Sequence, residues 1–475
     1  MARGPIRVLF VARSIAHFSY FESVVAALLD RGADLELAFD EQWSRSWSGG
    51  DQTAVNEFRA AYPSLKTSWS VRRSDPRRDR IFALRELRSF RSYLTRSDTT
   101  PYYVNRWRAY LNADWKAKVE DRQFCNLLKS PLGDLSLRLA ESLTPPDAGI
   151  LQHLREMRPD VIVLSPLNMR YSEETDYLKA ARRLGIPTAL PVLSWDNLST
   201  KGLIQIAPDK VFVWNEFQYE DAIRIHGLPS ARIAVAGSPF FDKWFDRPDE
   251  LPSREAFCKT VGLDPRRKIL LYLGSSRNIA ADETWFVEEM AAALAAAGAD
   301  LSRAQILVRP HPANAKIYKR LEGSGVTVWP PEGALPETRQ DFADMRCTFH
   351  HADAAIGINT TGMVDAVVAG LPTFTVRIPR YGDTQSDSKH FRYLVEGDAL
   401  YVMDDLLTLQ SALAKVWDGR DAKIASRLAF AKLFARPCGL DRSAGDVVAE
   451  GVLALAKRQA RVESGHVLEP AASAS

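Results

Sequence analysis

The chain has 475 residues, of which 46% are hydrophobic and 25% are charged, and its formal net charge is +3. This length exceeds one ordinary hydrophobic core, so we expect a globular protein of two domains. The near balance of charge argues against a nucleic-acid partner. Four widely spaced cysteines without a CxxC pair indicate a reducing compartment and no structural zinc.

The N-terminal segment predicts a strand and not a targeting sequence. Its apolar run of about six residues is interrupted by Arg13, which makes it too short for the apolar part of a secretory signal. No apolar run elsewhere approaches the ~20 residues that a membrane-spanning helix needs. We therefore expect a cytoplasmic protein.

Strands and helices alternate at the start of the chain. The runs 6–12 and 35–39 predict strands, and the periodicity over 18–31 predicts an amphipathic helix between them. This order is typical of a parallel sheet with helices on its faces. After an insertion at about 42–122, which is rich in Trp, Arg and Ser, the alternation returns. Further strands are predicted at 161–164, 188–193 and 210–214, with a helix at 173–184.

Eight arginines crowd the part of the insertion between residues 72 and 91, where aromatic and aliphatic residues are interleaved with them. Such a segment could bind an anionic membrane surface or an anionic glycan. The interleaving favours an ordinary helix that packs on the first domain.

A second α/β series begins near residue 268. Its predicted elements are strands at 269–273, 305–308, 326–329, 354–358 and 373–376 and a helix at 282–297. The charged, proline-containing segment 245–257 predicts a linker. We therefore expect domains at 1–245 and 258–435, a C-terminal helix at 436–463 and a disordered tail at 464–475. Two doubly wound domains suggest a cleft in which a small ligand binds between facing strand ends.

A polar turn lies within the segment GINTTGMVDAVVAGLPTF at 357–374. The pattern predicts a strand, then Thr360, Thr361 and Gly362, then a helix. A helix that begins there directs its free N–H groups and the positive end of its dipole at the turn, which suits a phosphate. The alternative is an ordinary threonine N-cap.

Residues near this turn add to a nucleotide-diphosphate site. Asp365, one helical turn further on, could accept hydrogen bonds from ribose hydroxyls. Arg309 and His311 follow a neighbouring strand in the segment ILVRPHP at 306–312. Because ligands gather at the carboxyl ends of parallel strands, we expect these side chains to meet.

Two further groups are candidates for the same ligand. Gly274, Ser275 and Ser276 follow the first strand of the second domain, where small residues let the backbone approach an anion. Lys389 and His390 lie in a polar segment that could hold a diphosphate. The alternatives are a plain turn and a solvated surface.

The first domain carries its own candidates after its first strand. Arg13, Ser14 and His17 follow this strand, and His17 could act as a general base for an acceptor hydroxyl. A capping or packing histidine is the alternative.

A second candidate loop of this domain, SWDNLSTKG, contains Trp195, Asp196, Asn197 and Lys201. Its stacking and hydrogen-bonding groups suit recognition of a sugar acceptor, and Asp196 is the alternative base.

These motifs resemble the GT-B superfamily of nucleotide-sugar enzymes, and most of all proteins of bacterial surface-polysaccharide biosynthesis. Relatives by this resemblance are the non-hydrolysing UDP-N-acetylglucosamine 2-epimerases and the CDP-glycerol glycerophosphotransferases. The HP motif of these proteins resembles His311-Pro312, and their GNPxxD turn resembles residues 237–242, with Ser238 where Asn is usual. The resemblance implies that the turn at Thr360 holds donor phosphates and that Asp365 holds the ribose, where Glu is usual.

Departures from these relatives bear on the chemistry. The epimerases carry EAGLR and PEExNR segments with catalytic carboxylates, and the CDP-glycerol enzymes carry an HGTxxK motif. The chain has SWDNLSTKGL in the corresponding region. A glycosyltransferase with its own acceptor loop is the remaining interpretation.

The sequence thus predicts an α/β protein with a GT-B fold, in which two Rossmann-like doubly wound domains face a cleft. The predicted activity is transfer of a sugar from a nucleotide-sugar donor to a cell-surface polysaccharide or a lipid-linked acceptor, without metal or cofactor. The alternatives are an epimerase-like isomerase and a noncatalytic nucleotide-sugar-binding scaffold. A peripheral contact with the inner membrane surface stays open.

Overall fold

A computed structural model of the chain describes residues 4–46, 52–245 and 251–463. The chain divides into two compact units. The first unit comprises Met1–Thr95, Trp107–Phe240 and Pro437–Ser475, and the second comprises Arg96–Arg106 and Phe241–Arg436. The predicted tail and residues 246–250 of the predicted linker lie outside the described residues, and a helix begins at Arg254 within the rest of that linker.

The first unit is built on a parallel sheet whose described strands lie in the order β3-β2-β1-β4-β5-β6-β7. Their bounds are β1 Arg7–Ala12, β2 Asp34–Phe39, β3 Lys66–Trp69, β4 Val161–Ser165, β5 Thr188–Pro191, β6 Lys210–Val213 and β7 Ile233–Val235. Strand β1 pairs with β2 on one side and with β4 on the other. The change of chain direction at β1 places the carboxyl ends of these three strands at one edge, which is where ligands bind in open α/β sheets.

Helices cover this sheet and its insertion. They are α1 Phe18–Asp30, α2 Glu41–Ser44, α3 Thr53–Ala61, α4 Arg78–Thr95, α6 Ala113–Glu120, α7 Arg122–Lys129, α8 Pro131–Leu143, α9 Ala148–Met157, α10 Glu174–Leu184, α11 Asn197–Thr200 and α12 Glu216–Arg224. Helix α5 Pro101–Tyr110 begins in the second unit and ends in the first. Short 3₁₀ helices occur at Ile15–His17, Ser230–Arg232 and Pro239–Phe241. The predicted helix at 18–31 and strands at 6–12 and 35–39 agree with α1, β1 and β2 to within a residue.

The Arg-rich segment belongs to the first unit, and its part from Arg78 onwards forms helix α4. Arg85 and Arg73 are buried, and both donate to the fully buried Asp176 over 2.8 Å. Arg85 also donates to Glu141 over 3.0 Å. Buried carboxylates therefore neutralise these arginines, which agrees with the packed-helix interpretation.

The C-terminal helix α22 (Ala444–Glu463) packs on α1 in the first unit. Its Val448 and Val452 are buried in the core of that unit. A Cβ atom at Gly445 would lie 2.5 Å from the backbone of Ser23, so only glycine allows this close approach. Arg31 fixes the contact from the other side through ion pairs to α22.

The second unit is built on a parallel sheet whose described strands lie in the order β10-β9-β8-β11-β12-β13. Their bounds are β8 Ile269–Leu273, β9 Gln305–Arg309, β10 Thr327–Val328, β11 Ala354–Gly357, β12 Thr373–Val376 and β13 Tyr401–Met403. Strands β8, β9 and β11 have no exposed residue, which explains their continuous apolar runs. The predicted doubly wound α/β architecture is confirmed in both units.

The helices of the second unit are α13 Asp242–Phe245, α14 Arg254–Val261, α15 Thr284–Ala295, α16 Ala299–Ser302, α17 Arg339–His351, α18 Thr361–Val368, α19 Lys389–Glu396, α20 Leu406–Trp417 and α21 Ile424–Ala435. Two 3₁₀ helices occur at Pro312–Leu321 and Pro379–Thr384. Within the part of the chain that the structure describes, no helix is both long and apolar enough to cross a membrane.

Candidate functional site

Three loops meet at the carboxyl edge of the second sheet. Strand β8 pairs with β9 on one side and with β11 on the other, and Leu273 is level with both Arg309 and Gly357. The predicted groups at 274–276, 309–311 and 359–362 follow these three neighbouring strands. The parallel topology therefore brings together what the sequence shows as three separate motifs.

Arg309 is the last residue of β9, and its side chain is buried, with 6% exposure. Among the described residues its two terminal nitrogens, Nη1 and Nη2, have no hydrogen-bond partner. Burial lowers the pKa of the guanidinium, although Asp344, Asp341 and Asp365 act in the opposite direction. Buried polar groups are nearly always hydrogen-bonded, so this guanidinium is prepared for an anion.

Helix α18 follows β11, which only β8 separates from β9, the strand of Arg309. Its N-cap residue Thr360 has an extended backbone and makes no side-chain capping bond. Thr361 and Gly362 at the first turn are only partly buried. The backbone N–H groups of this turn and the helix dipole therefore favour a negative charge at this position.

Asn359 precedes the turn, and hydrogen bonds fix its side-chain amide. Its Nδ2 donates to the Thr384 carbonyl over 2.6 Å and lies 3.1 Å from Nε2 of His390. The other ring nitrogen of His390 lies 2.8 Å from the Ser388 hydroxyl. Both ring nitrogens of this predicted donor-binding residue thus have protein partners, and His390 positions Asn359. Lys389, predicted beside it, is paired with Asp98 of the same unit.

Gly274 lets the β8 loop lie close to the end of β9. A Cβ atom there would lie 2.7 Å from the Tyr318 hydroxyl and 3.1 Å from Cα of Pro310. Ser275 is completely buried. Ser276 is partly buried.

A buried carboxylate that the sequence did not reveal holds this loop. Glu283 accepts hydrogen bonds from the Ser275 N–H over 2.5 Å, from Tyr318 over 2.6 Å and from Tyr272 over 2.9 Å. Burial raises its pKa, while these donors act in the opposite direction. One signal was available, because Tyr272 is a polar residue in an otherwise aliphatic strand and needs a buried partner.

His311 is a neutral hydrogen-bond donor at the end of β9. Burial lowers its pKa to about 4. Its Nδ1 accepts the backbone N–H of Ala313 over 3.1 Å, which places the proton on Nε2. The imidazole can therefore donate to a phosphate oxygen at neutral pH without carrying charge.

Asp365 of α18, the predicted ribose-binding residue, is buried. One of its oxygens accepts the indole N–H of Trp244 over 2.8 Å. Burial raises its pKa to about 7, against the lowering effects of Trp244, Lys243 and Arg309. The carboxyl group thus lies within electrostatic reach of Arg309, with one oxygen bound by the protein.

In the first unit, Arg13 follows β1 and is buried against an aromatic ring. The centre of its guanidinium lies 3.9 Å from the centroid of Trp43, and within the described residues its Nη1 has no hydrogen-bond partner. Ser14, also buried, starts the following 3₁₀ turn. Burial, then Arg13, lowers the pKa of His17 to about 3, which makes this predicted base a weak one near neutral pH.

Asp196, the second predicted base, makes contacts within its own loop. Asp196 accepts hydrogen bonds from Ser194 over 2.7 Å and from Thr200 over 2.8 Å, and it forms an ion pair with Lys201 over 3.0 Å. Trp195 and Asn197 of this loop are buried. The carboxylate therefore organises the loop, and Lys201 neutralises it.

Two acidic residues that the sequence did not single out interact electrostatically with Arg13. Glu174 at the start of α10 accepts the Ser172 hydroxyl over 2.6 Å, and burial raises its pKa to about 7. Asp40 directly follows β2 and caps α2. The strand-end reasoning that selected Arg13 would have selected Asp40, whereas Glu174 resembles an ordinary acidic residue of a first helical turn.

No group of three or more His, Cys, Asp or Glu side chains that could hold a metal ion occurs among residues 4–46, 52–245 and 251–463.

Comparison with known proteins identifies the fold. No protein-family model matches the sequence, and no curated protein matches it either. A putative UDP-N-acetylglucosamine 2-epimerase from Listeria monocytogenes aligns over 97% of this chain and 97% of its own, with 11% identity and a TM-score of 0.54. A glycosyltransferase from Rickettsia africae aligns over 97% of this chain and 100% of its own, with 9% identity and a TM-score of 0.52.

The structure of S. aureus MnaA with UDP covers 100% of both chains, with 9% identity and a TM-score of 0.52. At these identities the likeness concerns the fold alone. The architecture that they share with this chain, two successive Rossmann-like parallel α/β units, is the GT-B fold.

Proposed function

We propose that the chain is a nucleotide-sugar-dependent glycosyltransferase whose second unit binds the donor. The observation that carries this proposal is the buried guanidinium of Arg309, which has no hydrogen-bond partner among the described residues. It lies at the carboxyl edge of a doubly wound sheet, at the end of β9, and only strand β8 separates β9 from β11, which leads into α18. This combination of a desolvated cation and the positive end of a helix dipole suits a nucleoside diphosphate.

The same groups suit the chemistry of transfer. When the bond from the sugar to the donor breaks, negative charge grows on the leaving diphosphate. Arg309, the Nε2–H of His311 and the N–H groups at Thr361 and Gly362 can stabilise this charge from fixed positions. Similarity to proteins described as a glycosyltransferase and as a UDP complex supports a nucleotide-sugar substrate.

The acceptor would be a glycan or a lipid-linked saccharide that binds the first unit. Its Arg13, stacked on Trp43, offers one free N–H group and an aromatic surface, which are typical of sugar recognition. Burial raises the pKa of Glu174 to about 7 and lowers that of His17 to about 3, so Glu174 is better suited than His17 to exchange a proton with an acceptor hydroxyl.

Epimerisation of a nucleotide sugar is the second candidate activity, and the raised pKa of Glu174 also favours it. Epimerisation needs a group that removes and returns a proton, which a carboxyl group with a pKa of about 7 can do. Incubation of the chain with a nucleotide sugar alone separates the two. An epimerase changes the sugar without an acceptor, whereas a transferase releases the nucleoside diphosphate only when an acceptor is present.

The first test is a thermal-shift screen with UDP, GDP, CDP, CMP, dTDP and ADP. A ligand that binds the folded state raises the melting temperature by mass action. We expect a rise with one nucleotide, and we expect Arg309→Ala to weaken its binding about 10- to 100-fold, since a hydrogen bond to a charged group contributes about 1.5–3 kcal/mol.

The matched control is Arg266→Ala, which removes an arginine that is 89% exposed in the same unit. This variant should bind the nucleotide as the wild type does. The donor site is wrong if well-folded wild-type protein responds to none of the nucleotides, or if both variants bind equally well.

A further inference from the structure

Helix α8 presents a row of leucines to solvent. Leu132, Leu135, Leu139 and Leu143 are 69%, 52%, 51% and 81% exposed. Their spacing of three, four and four residues places them on one face of the helix. Leu127 of the preceding helix α7 is 54% exposed. We call these five residues the α8 leucine face.

The opposite side of α8 packs inside the first unit. The exposure of the leucine face therefore does not result from poor packing of the helix. Leu137 is buried, and Glu141 forms ion pairs with Arg85 over 3.0 Å and with Lys179 over 3.1 Å. A Cβ atom at Gly133 would lie 2.3 Å from the Leu127 carbonyl, which shows how closely α7 and α8 pack. The five leucines are therefore presented on a rigid support.

The charges around this face are net positive. Within residues 121–143, all of which the structure describes, the exposed charged side chains are Asp121, Arg122, Lys129 and Arg138. Asp134 pairs with Arg138 and with Arg91, and Glu141 is buried. The four cations, Arg91 included, thus outnumber the two carboxylates Asp121 and Asp134. An apolar row with net positive charge beside it matches an anionic lipid surface, with acyl chains below and charged headgroups above.

We propose that the α8 leucine face docks the chain on an anionic lipid bilayer. The five leucines expose roughly 500 Å² of apolar surface, a patch of the size that is often functional on a monomer. A stable interface between two copies needs ~800 Å² per partner, and the bordering cations would repel each other in it. This proposal concerns α7 and α8 and does not depend on the proposed enzymatic activity.

The test is flotation of the full chain with lipid vesicles. We expect it to float with vesicles of phosphatidylglycerol in phosphatidylcholine, less so as salt is raised, and poorly with phosphatidylcholine alone. The double variant Leu135→Glu and Leu139→Glu should lower the partition coefficient about tenfold or more, because it removes apolar contact and adds charge that anionic lipid repels.

The matched control replaces exposed apolar residues elsewhere. Leu428→Glu together with Leu433→Glu changes leucines of α21 that are 63% and 66% exposed, and it should bind vesicles as the wild type does. Lys129→Gln should weaken binding at low salt only. Equal flotation of both double variants would overturn the proposal, as would a wild type that does not float with anionic vesicles. A wild type that instead forms a dimer which the α8 variant dissociates would assign the face to a second copy and overturn the lipid proposal.

Discussion

Arg85 in the first unit and Arg309 in the second are buried to the same degree, at 6% exposure each. Arg85 uses all three of its nitrogens, which donate to Glu141 and Asp176 over 2.8–3.0 Å. The terminal nitrogens of Arg309 have no partner among the described residues. Burial acts to lower the pKa of both groups, but Asp176 and Glu141 reverse the direction for Arg85 alone.

The hydrogen-bond partners of Arg85 and Arg309 therefore indicate two different roles for a buried arginine. Arg85 joins the insertion helix α4 to α8 and α10 through carboxylates that the fold itself supplies. Asp344, Asp341 and Asp365 act on Arg309 electrostatically, but its Nη1 and Nη2 have no hydrogen-bond partner among the described residues, which is why we propose that an anionic ligand binds it. Burial and residue type are equal in the two cases, and only the count of hydrogen-bond partners distinguishes a structural arginine from one that is prepared for a ligand.

The largest effect is expected for Arg85→Met. Removing one partner of a buried ion pair leaves the other charges uncompensated, here those of Asp176 and Glu141, and costs about 3–5 kcal/mol. Urea unfolding followed by circular dichroism measures this loss. The matched control is Arg108→Met, where the arginine is 47% exposed and pairs with an exposed Glu120, and where a loss below about 1 kcal/mol is expected. Equal losses would mean that the buried network does not stabilise the insertion.

Asp176, which interacts with Arg85, and Asp365, which interacts with Arg309, differ in the same way, and their difference makes the stability depend on pH. Burial acts to raise the pKa of Asp176, but Arg85 and Arg73 lower it below its usual range. Burial raises that of Asp365 to about 7. Folded protein therefore keeps the Asp365 proton between about pH 4 and pH 7, where the unfolded chain has lost it. The free energy of unfolding decreases with rising pH wherever the folded state binds more protons than the unfolded state. Asp365 therefore destabilises the folded protein as the pH rises from about 4 to about 7.

We therefore expect Asp365→Asn to gain stability relative to the wild type between pH 4.5 and pH 7.5, by up to about 4 kcal/mol. Asparagine keeps an oxygen that can accept the Trp244 indole N–H. Urea unfolding at several pH values measures the difference. Asp404→Asn, at an aspartate that is 74% exposed, is the control and should show no such trend. A pH-independent difference for Asp365→Asn would show that this carboxyl group ionises normally.

The strands were predictable because strands of a parallel sheet that are buried on both faces are continuous apolar runs, as in β8 and β9. Their carboxyl ends then gave the positions of Arg309 and of the turn at Thr360. The return of α22 to the first unit was not predictable, because it depends on a close approach of Gly445 to Ser23, far apart in sequence. Local patterns contain no information on such contacts.

The roles of individual site residues depended on contacts of the same kind. Asp196 and Lys389 look available in the sequence, yet Lys201 and Asp98 neutralise them. Glu283 looks like an ordinary residue at a helix start, yet it holds the Ser275 loop. The sequence therefore located the edge of the sheet at which a ligand is expected, whereas the pairing of each side chain needed the tertiary structure.

The smallest effect on stability is expected at Arg309 itself. Arg309→Met removes a charge whose burial is not offset by hydrogen bonds from Nη1 and Nη2 and keeps most of the apolar volume of the side chain. We therefore expect the free energy of unfolding of the ligand-free protein to stay within about 1 kcal/mol of the wild type or to rise, in contrast to Arg85→Met. The nucleotide-induced rise in melting temperature should be lost in the same variant. A loss of stability as large as that of Arg85→Met would show that Arg309 is a structural arginine, and the comparison on which the donor site depends would fail.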